Sequence, residues 1–359
     1  MKKINTLKIL LVFFYVSACY PERIDPQSIK VGAIRWDAWT SGSVTQQVEK
    51  TLGPVRYHDR LPWFASVIND STVRIDGTAM AIMDKEIEYA AGAGLDYWAF
   101  LLYPETNSMS FSLRQYLNSK NRSKINFCLI LHGSFGVSDE KWPGELERAI
   151  TLIKLPEYQK VLNGRPLVYA FEVKLNGQFP QKRFTEFLTR AKSEGLNPYC
   201  VFMGWDPPSD YKKASMMGFD AVSHYACDSD APSFSELMQK TENNWEKARM
   251  ERVPYIPLVT TGWDKQPRKD HPVSWELDHS YHRQEVFTAK AKPEEITSHL
   301  SSAIDFVKLN SDICNANAII MYAWNENDEG GWLIPTWSPD GIPDTKRLNA
   351  IAKVLHKNN

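Results

Sequence analysis

Two glutamates three positions apart, Glu326 and Glu329, stand in the segment Ala323-Trp324-Asn325-Glu326-Asn327-Asp328-Glu329-Gly330. The segment follows the run Ala318-Ile319-Ile320-Met321-Tyr322, whose β-branched and aromatic residues read as a buried strand. If the chain turns helically there, positions i and i+3 project from one face with Cβ atoms about 5–6 Å apart. Carboxyl groups at such a separation suit glycosidic bond hydrolysis with retention of configuration. An isolated E-x-x-E is more often a solvated acidic loop, so its place in the fold has to decide.

Eight short apolar runs can supply that place: Lys30–Arg35, Asp96–Leu102, Asn126–Leu131, Arg165–Phe171, Pro198–Met203, Ala221–Tyr225, Pro254–Thr260 and Ala318–Tyr322. Amphipathic stretches alternate with them, at Met80–Gly94, Ser110–Asn118, Pro143–Lys154, Gln181–Glu194, Asp210–Met217, Ser233–Glu251, Pro293–Asn310 and Asp344–His356. Eight β-then-α units predict an α/β protein, a single (β/α)8 TIM barrel with long βα loops at 38–78 and 261–292. A doubly wound open sheet is the alternative, disfavoured by the repeat number and by the lack of a G-x-G-x-x-G. No linker or low-complexity tract divides the chain, so residues 30–359 are expected to form one barrel domain.

In such a barrel reactive side chains come from the C-terminal strand ends. Those positions hold Trp36, Asp37 and Trp39 after the first strand, Tyr103 and Glu105 after the second, and His132 after the third. Glu172 follows the fourth, Trp205 and Asp206 the fifth, and His224 and Tyr225 the sixth. The seventh contributes Trp263 and Asp264, and the eighth Asn325, Glu326 and Glu329. The Trp-Asp pairs suit a pyranose stacked on an indole, with its hydroxyls held by the carboxylate. His132 and Glu172 have competing structural readings, as a packed histidine and as an ion-pair partner. His271, His279 and His282 in the long seventh loop lack an acidic companion at ligand spacing, so no metal is expected.

Bulk properties narrow the classes further. The 359 residues are 43% hydrophobic with a formal net charge of −1, enough for a large core and without a basic footprint for nucleic acid. Twelve tryptophans fit contact with flat sugar faces as well as a large core. A basic start, an apolar stretch from Ile9 to Val16, and then Ala18-Cys19 read as an export signal too short to span a membrane. Val16-Ser17-Ala18-Cys19 resembles a bacterial lipoprotein box, which implies a signal peptide at 1–19 and lipidation of Cys19; an ordinary signal peptide with a chance cysteine is the alternative. Residues 20–29 would then be a short tether, with the lipid anchor as the sole membrane contact and a periplasmic or outer-membrane surface location. Cys128, Cys200, Cys227 and Cys314 show no C-x-x-C spacing and read mainly as buried small hydrophobes, with pairing left open. No cofactor is expected, and a monomer is.

The pattern Ala323-Trp324-Asn325-Glu326-x-x-Glu329-Gly330, followed by Leu333-x-Pro335 and Asp340-Gly341, resembles family 99 glycoside hydrolases and their WbsX-type relatives. Those families carry N-E-W-x-E-G at the corresponding place. Gly32 to Asp37, Gly94-Leu95-Asp96 and Gly164-Arg165-Pro166 are supporting matches. The resemblance implies endo-acting, retaining hydrolysis of α-mannosides on a (β/α)8 barrel. It also implies a route in which the substrate's 2-hydroxyl displaces the leaving group to give a 1,2-anhydro sugar. Glu326 would be the base toward that hydroxyl, and Glu329 would protonate the glycosidic oxygen. Asn327 stands where the family has Trp, and Asp328 adds a carboxylate beside the pair. The competing class is a non-catalytic glycan-binding lipoprotein on a degenerate barrel. A polysaccharide-assembly transferase is disfavoured, because no nucleotide-sugar phosphate site is visible.

Overall fold

The computed structural model describes residues 28–227 and 230–358. The expected signal peptide, Cys19 and most of the tether lie outside the described residues. Eight parallel strands form the barrel wall: β1 (Lys30–Arg35), β2 (Tyr97–Leu102), β3 (Asn126–Leu131), β4 (Arg165–Ala170), β5 (Tyr199–Gly204), β6 (Ala221–His224), β7 (Leu258–Thr260) and β8 (Ala318–Tyr322). The sheet runs in the order β7-β8-β1-β2-β3-β4-β5-β6. The eighth strand closes onto the first with Gly32 opposite Ile320. Across the remaining seam β6 and the chain before β7 meet at one bridge, Val222 to Tyr255. The (β/α)8 expectation holds.

The strands form because their side chains are apolar on both faces. Tyr97–Leu102 is buried at every position, as a parallel strand between a barrel interior and a helical layer must be. The seventh strand is shorter than the expected Pro254–Thr260. Pro254 and Pro257 have no N–H for the ladder, so regular pairing begins only at Leu258. The outer helices bury one stripe each; in Gln181–Ser193, Phe184, Phe187 and Ala191 face inward at helical spacing. Inside the barrel Tyr97 Oη donates to the Ile319 carbonyl (3.0 Å) and meets Tyr169 Oη at 2.9 Å, so the interior is a packed core rather than a channel.

The two long loops carry structure of their own. The first holds a helix at Gly42–Leu52 and a hairpin of Ser66–Asn69 with Thr72–Arg74. The second holds a short helix, Gln266–Asp270, pressed under the strand-eight turn. All four described cysteines are buried, and Cys128, Cys200 and Cys314 are free thiols.

Candidate active site

After β8 the chain makes a two-residue strand, Asn325–Glu326, a single 3-10 turn, Asn327–Glu329, and a return strand, Gly331–Trp332. The turn is what places the two glutamates on one side. Gly330 ends it at φ 87°, and a Cβ there would lie 2.5 Å from the Asp264 backbone nitrogen. Gly262 packs against the Gly330 carbonyl from the other side and also lacks room for a Cβ. The two glycines let the loops after β7 and β8 touch backbone to backbone. Below them Trp324 is fully buried against Trp98, ring centroids 5.1 Å apart, a rigid floor for the turn.

Glu326 and Glu329 open into a cavity of about 810 Å³ at the C-terminal mouth of the barrel. Trp36, Tyr103, His132, Glu172, Trp205, Tyr225 and Trp263 line it as well, seven of the positions expected from strand ends. Trp205 stands half out of the wall at 52% exposure. Tyr225 stacks on Phe171 at 4.2 Å and donates from Oη to Glu326 Oε1 at 2.5 Å. Tyr103 accepts from Trp36 Nε1 (3.2 Å) and packs edge-on against His132. His132 Nδ1 lies 2.9 Å from the Phe171 carbonyl, and burial holds its pKa below the usual histidine range. Glu172 sits at φ 46°, an uncommon backbone conformation for a non-glycine residue, with Lys174 at 3.6 Å.

Five expected residues are turned to other tasks. Asp206 caps the helix Pro207–Met217 and pairs with Lys247 at 3.1 Å, which lowers its pKa. Asp264 pairs with Arg60 and accepts from the Gln266 backbone N–H at 2.9 Å. Both follow a tryptophan but serve the start of the next helix, so the Trp-Asp reading fails on the acid half of each pair. His224 is buried against Tyr255 Oη at 2.9 Å, and that burial takes its pKa down to about 4. Asp37 pairs with Arg35 at 2.6 Å under the floor; its pKa is raised because burial outweighs the arginine. Asn325 is a positioning residue: its Oδ1 accepts the Trp36 backbone N–H at 2.8 Å and so ties β1 to β8.

Residue-by-residue reading missed the cationic centre. Arg268, from the short helix in the seventh loop, lies between Trp36 (5.1 Å) and Trp275 (5.6 Å). Its Nε donates to Asp328 Oδ2 at 2.7 Å and its Nη2 to Asp328 Oδ1 at 3.1 Å. Nη1 reaches Glu276 at 2.9 Å and Glu329 Oε1. Lys265 Nζ lies 3.1 Å from the same Glu329 oxygen and 2.7 Å from Glu276, while Tyr322 Oη donates to Glu329 Oε2. Asp328 is thus not an extra charge in the cavity; it faces away and anchors the arginine. A basic pair spaced three apart, Lys265 and Arg268, followed by Trp275-Glu276, was the available signal.

These contacts treat the two glutamates differently. Burial raises the Glu326 pKa well above the ordinary carboxyl range, Glu329 raises it further, and Arg268 at 3.9 Å and Tyr225 only partly oppose this. Glu326 Oε2 has no hydrogen-bond partner among the described residues. Glu329 instead has three donors around it, two of them cationic.

No protein-family model and no curated protein matches the sequence. Solved structures do. A glycoside hydrolase-like protein superposes with a TM-score of 0.59 at 14% identity, over 92% of this chain and 94% of that one. The GH99 endo-α-mannosidase of Bacteroides thetaiotaomicron, in complex with BIS-TRIS-propane, superposes with a TM-score of 0.59 at 12% identity, over 92% and 97%. A second structure of a GH99 endo-α-mannosidase from that organism gives 0.54 at 12% identity. This chain shares its fold with these GH99 endo-α-mannosidases. The expected family likeness is therefore present in three dimensions over nine-tenths of the chain.

Proposed function

We propose that this chain is a retaining glycoside hydrolase acting on α-linkages of a polysaccharide or glycan, with Glu326 and Glu329 as its catalytic pair. One observation carries the reading: both carboxyl groups converge in one aromatic cavity at the barrel mouth, in different electrostatic surroundings. Paired carboxyls pushed apart in proton affinity can divide acid and base work. Trp36 and Trp205 offer apolar faces to sugar rings, and Tyr103, His132 and Glu172 offer hydroxyl partners. An endo-acting α-mannosidase reaction through a 1,2-anhydro sugar fits the motif resemblance and this arrangement.

In that reaction the sugar's 2-hydroxyl attacks C1 as its proton passes to one carboxylate. The glycosidic oxygen leaves with a proton from the other, and water then opens the anhydro ring with the proton flow reversed. The raised Glu326 pKa, and the cations gathered on Glu329, support Glu326 as the acid and Glu329 as the base. This division is opposite to the one the motif resemblance implies. Aryl glycosides with an acidic phenol leaving group need little protonation and separate the two roles. On them Glu326→Gln is expected to keep most of its first-step rate, while Glu329→Gln stays inactive; the reverse pattern restores the motif's assignment.

A second reading, a glycan-binding protein without turnover, is favoured by Glu329 being engaged on both oxygens. It requires that no reducing ends appear from any glycan panel and that binding survive both substitutions. The export reading of residues 1–19 supports a lipid-anchored protein outside the cytoplasm; Cys19→Ala should then abolish labelling by a fatty-acid probe.

A further inference from the structure

On the far side of the strand-eight turn from the catalytic pair lies a separate cavity of about 400 Å³. Its wall holds Arg347, at the start of the helix Lys346–Asn358, with only 9% of the residue exposed. The guanidinium lies over the Trp332 ring at 3.7 Å. Its nitrogens donate to three backbone carbonyls, of Thr261 (3.2 Å), Trp332 (3.1 Å) and Ala291 (3.2 Å). No carboxylate among the described residues pairs with it. The two acids in the wall are already taken, Asp59 by Lys290 and Asp344 by Lys346 at 3.0 Å. With three cations against two carboxylates, the wall carries one positive charge without a counter-ion. A buried charge left so is costly, and burial pulls the Arg347 pKa down to about 9.

Carbonyl partners satisfy the arginine's hydrogens but not its charge, and an anion entering the cavity would supply that. Trp337, half-buried and edge-on to His58, lines the same cavity as the cation. An indole with a guanidinium in a cavity large enough for a small ligand suits a sugar ring carrying an oxyanion. We propose that this cavity is a second, non-catalytic binding site for an anionic sugar unit, its carboxylate or sulfate ester paired with Arg347 and its ring against Trp337. The site is independent of the dyad and stands whether or not the dyad hydrolyses a glycan.

The test is calorimetric titration of the full chain with four probes: methyl glucuronide, a sulfated N-acetylglucosamine, methyl mannoside and sodium sulfate. At least one charged sugar should bind about tenfold more tightly than both the neutral sugar and the bare sulfate, the difference one charge-assisted contact makes. The two charged probes tell carboxylate from sulfate ester. Trp337→Ala should weaken that binding about tenfold, and Arg347→Met should abolish it, while Glu326→Gln leaves it unchanged. Should Arg347→Met fail to fold for want of its three carbonyl contacts, Trp337→Ala alone decides. Equal binding of charged and neutral sugars, sulfate binding as well as the sugars, or an unaltered affinity in Trp337→Ala would each overturn the proposal.

Discussion

Arg268 and Asp328 meet in a two-point fork, Nε to Oδ2 at 2.7 Å and Nη2 to Oδ1 at 3.1 Å, beneath the cavity floor. The fork fixes the plane of the guanidinium and so aims its remaining nitrogen at Glu329. Asp328→Asn keeps the shape but removes one charge and one acceptor. The arginine keeps Glu276 and Glu329 but loses the two-point fork that fixes its plane, and kcat should fall about 10- to 100-fold with KM little changed. Steady-state kinetics on any cleaved glycan check this; wild-type kcat would remove Asp328 from the positioning role.

Glu326→Gln and Glu329→Gln should each lower turnover of a natural glycan about 100- to 10,000-fold, with circular dichroism unchanged. Full activity in both would leave the barrel without its catalytic pair.

The raised Glu326 pKa makes a signed prediction. A reaction that needs the protonated group falls as pH rises through that pKa, so Glu326, as the proposed acid, should set the basic limb of the rate profile. The Tyr225 hydrogen bond favours the charged form and holds the pKa down somewhat. Tyr225→Phe should therefore move the basic limb to higher pH. A limb that stays put, or moves down, shows that another group sets it.

Glu276 acts in the opposite sense on stability. Burial pushes its pKa up, but Arg268 and Lys265 outweigh burial and bring it to about 2, below the ordinary 4.5. A lowered folded-state pKa contributes stability above about 4.5, and the contribution is lost as pH falls toward 2. Thermal melts at pH 7 and pH 3 should differ less in Glu276→Gln than in the wild type. An unchanged difference would mean the pair contributes nothing in solution.

Trp275 was not among the expected site residues, yet it lines the cavity at 38% exposure, against Trp36 at 5.8 Å. Trp205 stands at the rim with 52% exposure. Trp275→Ala and Trp205→Ala should each raise KM about five- to tenfold, as a lost stacking face does, with kcat nearly intact. Inhibition constants for a non-cleaved oligosaccharide measure it directly.

Much of this fold was legible in the chain because parallel strands buried on both faces must be continuously apolar. Runs such as Tyr97–Leu102 announce themselves, and eight of them alternating with helices leave few topologies. Strand ends were less certain where proline intervened, as at Pro254 and Pro257. The site was legible only where position along a strand dictates direction. Trp36, Tyr103, His132, Trp205, Tyr225 and Trp263 follow their strands into the mouth. Asp206 and Asp264 follow theirs as well, but a helix start a few residues on claims the carboxylate first.

The sequence by itself determined the barrel, the mouth where chemistry would sit, and the E-x-x-E pair, since these follow from local apolar pattern and spacing. Only the tertiary structure decided which glutamate lies among cations and which is left buried. That depends on Arg268, 58 positions before Glu326 along the chain, meeting Asp328 and Glu329 through a loop whose path no local pattern encodes. Charges interact through space at a few ångströms, and only the folded chain sets those distances.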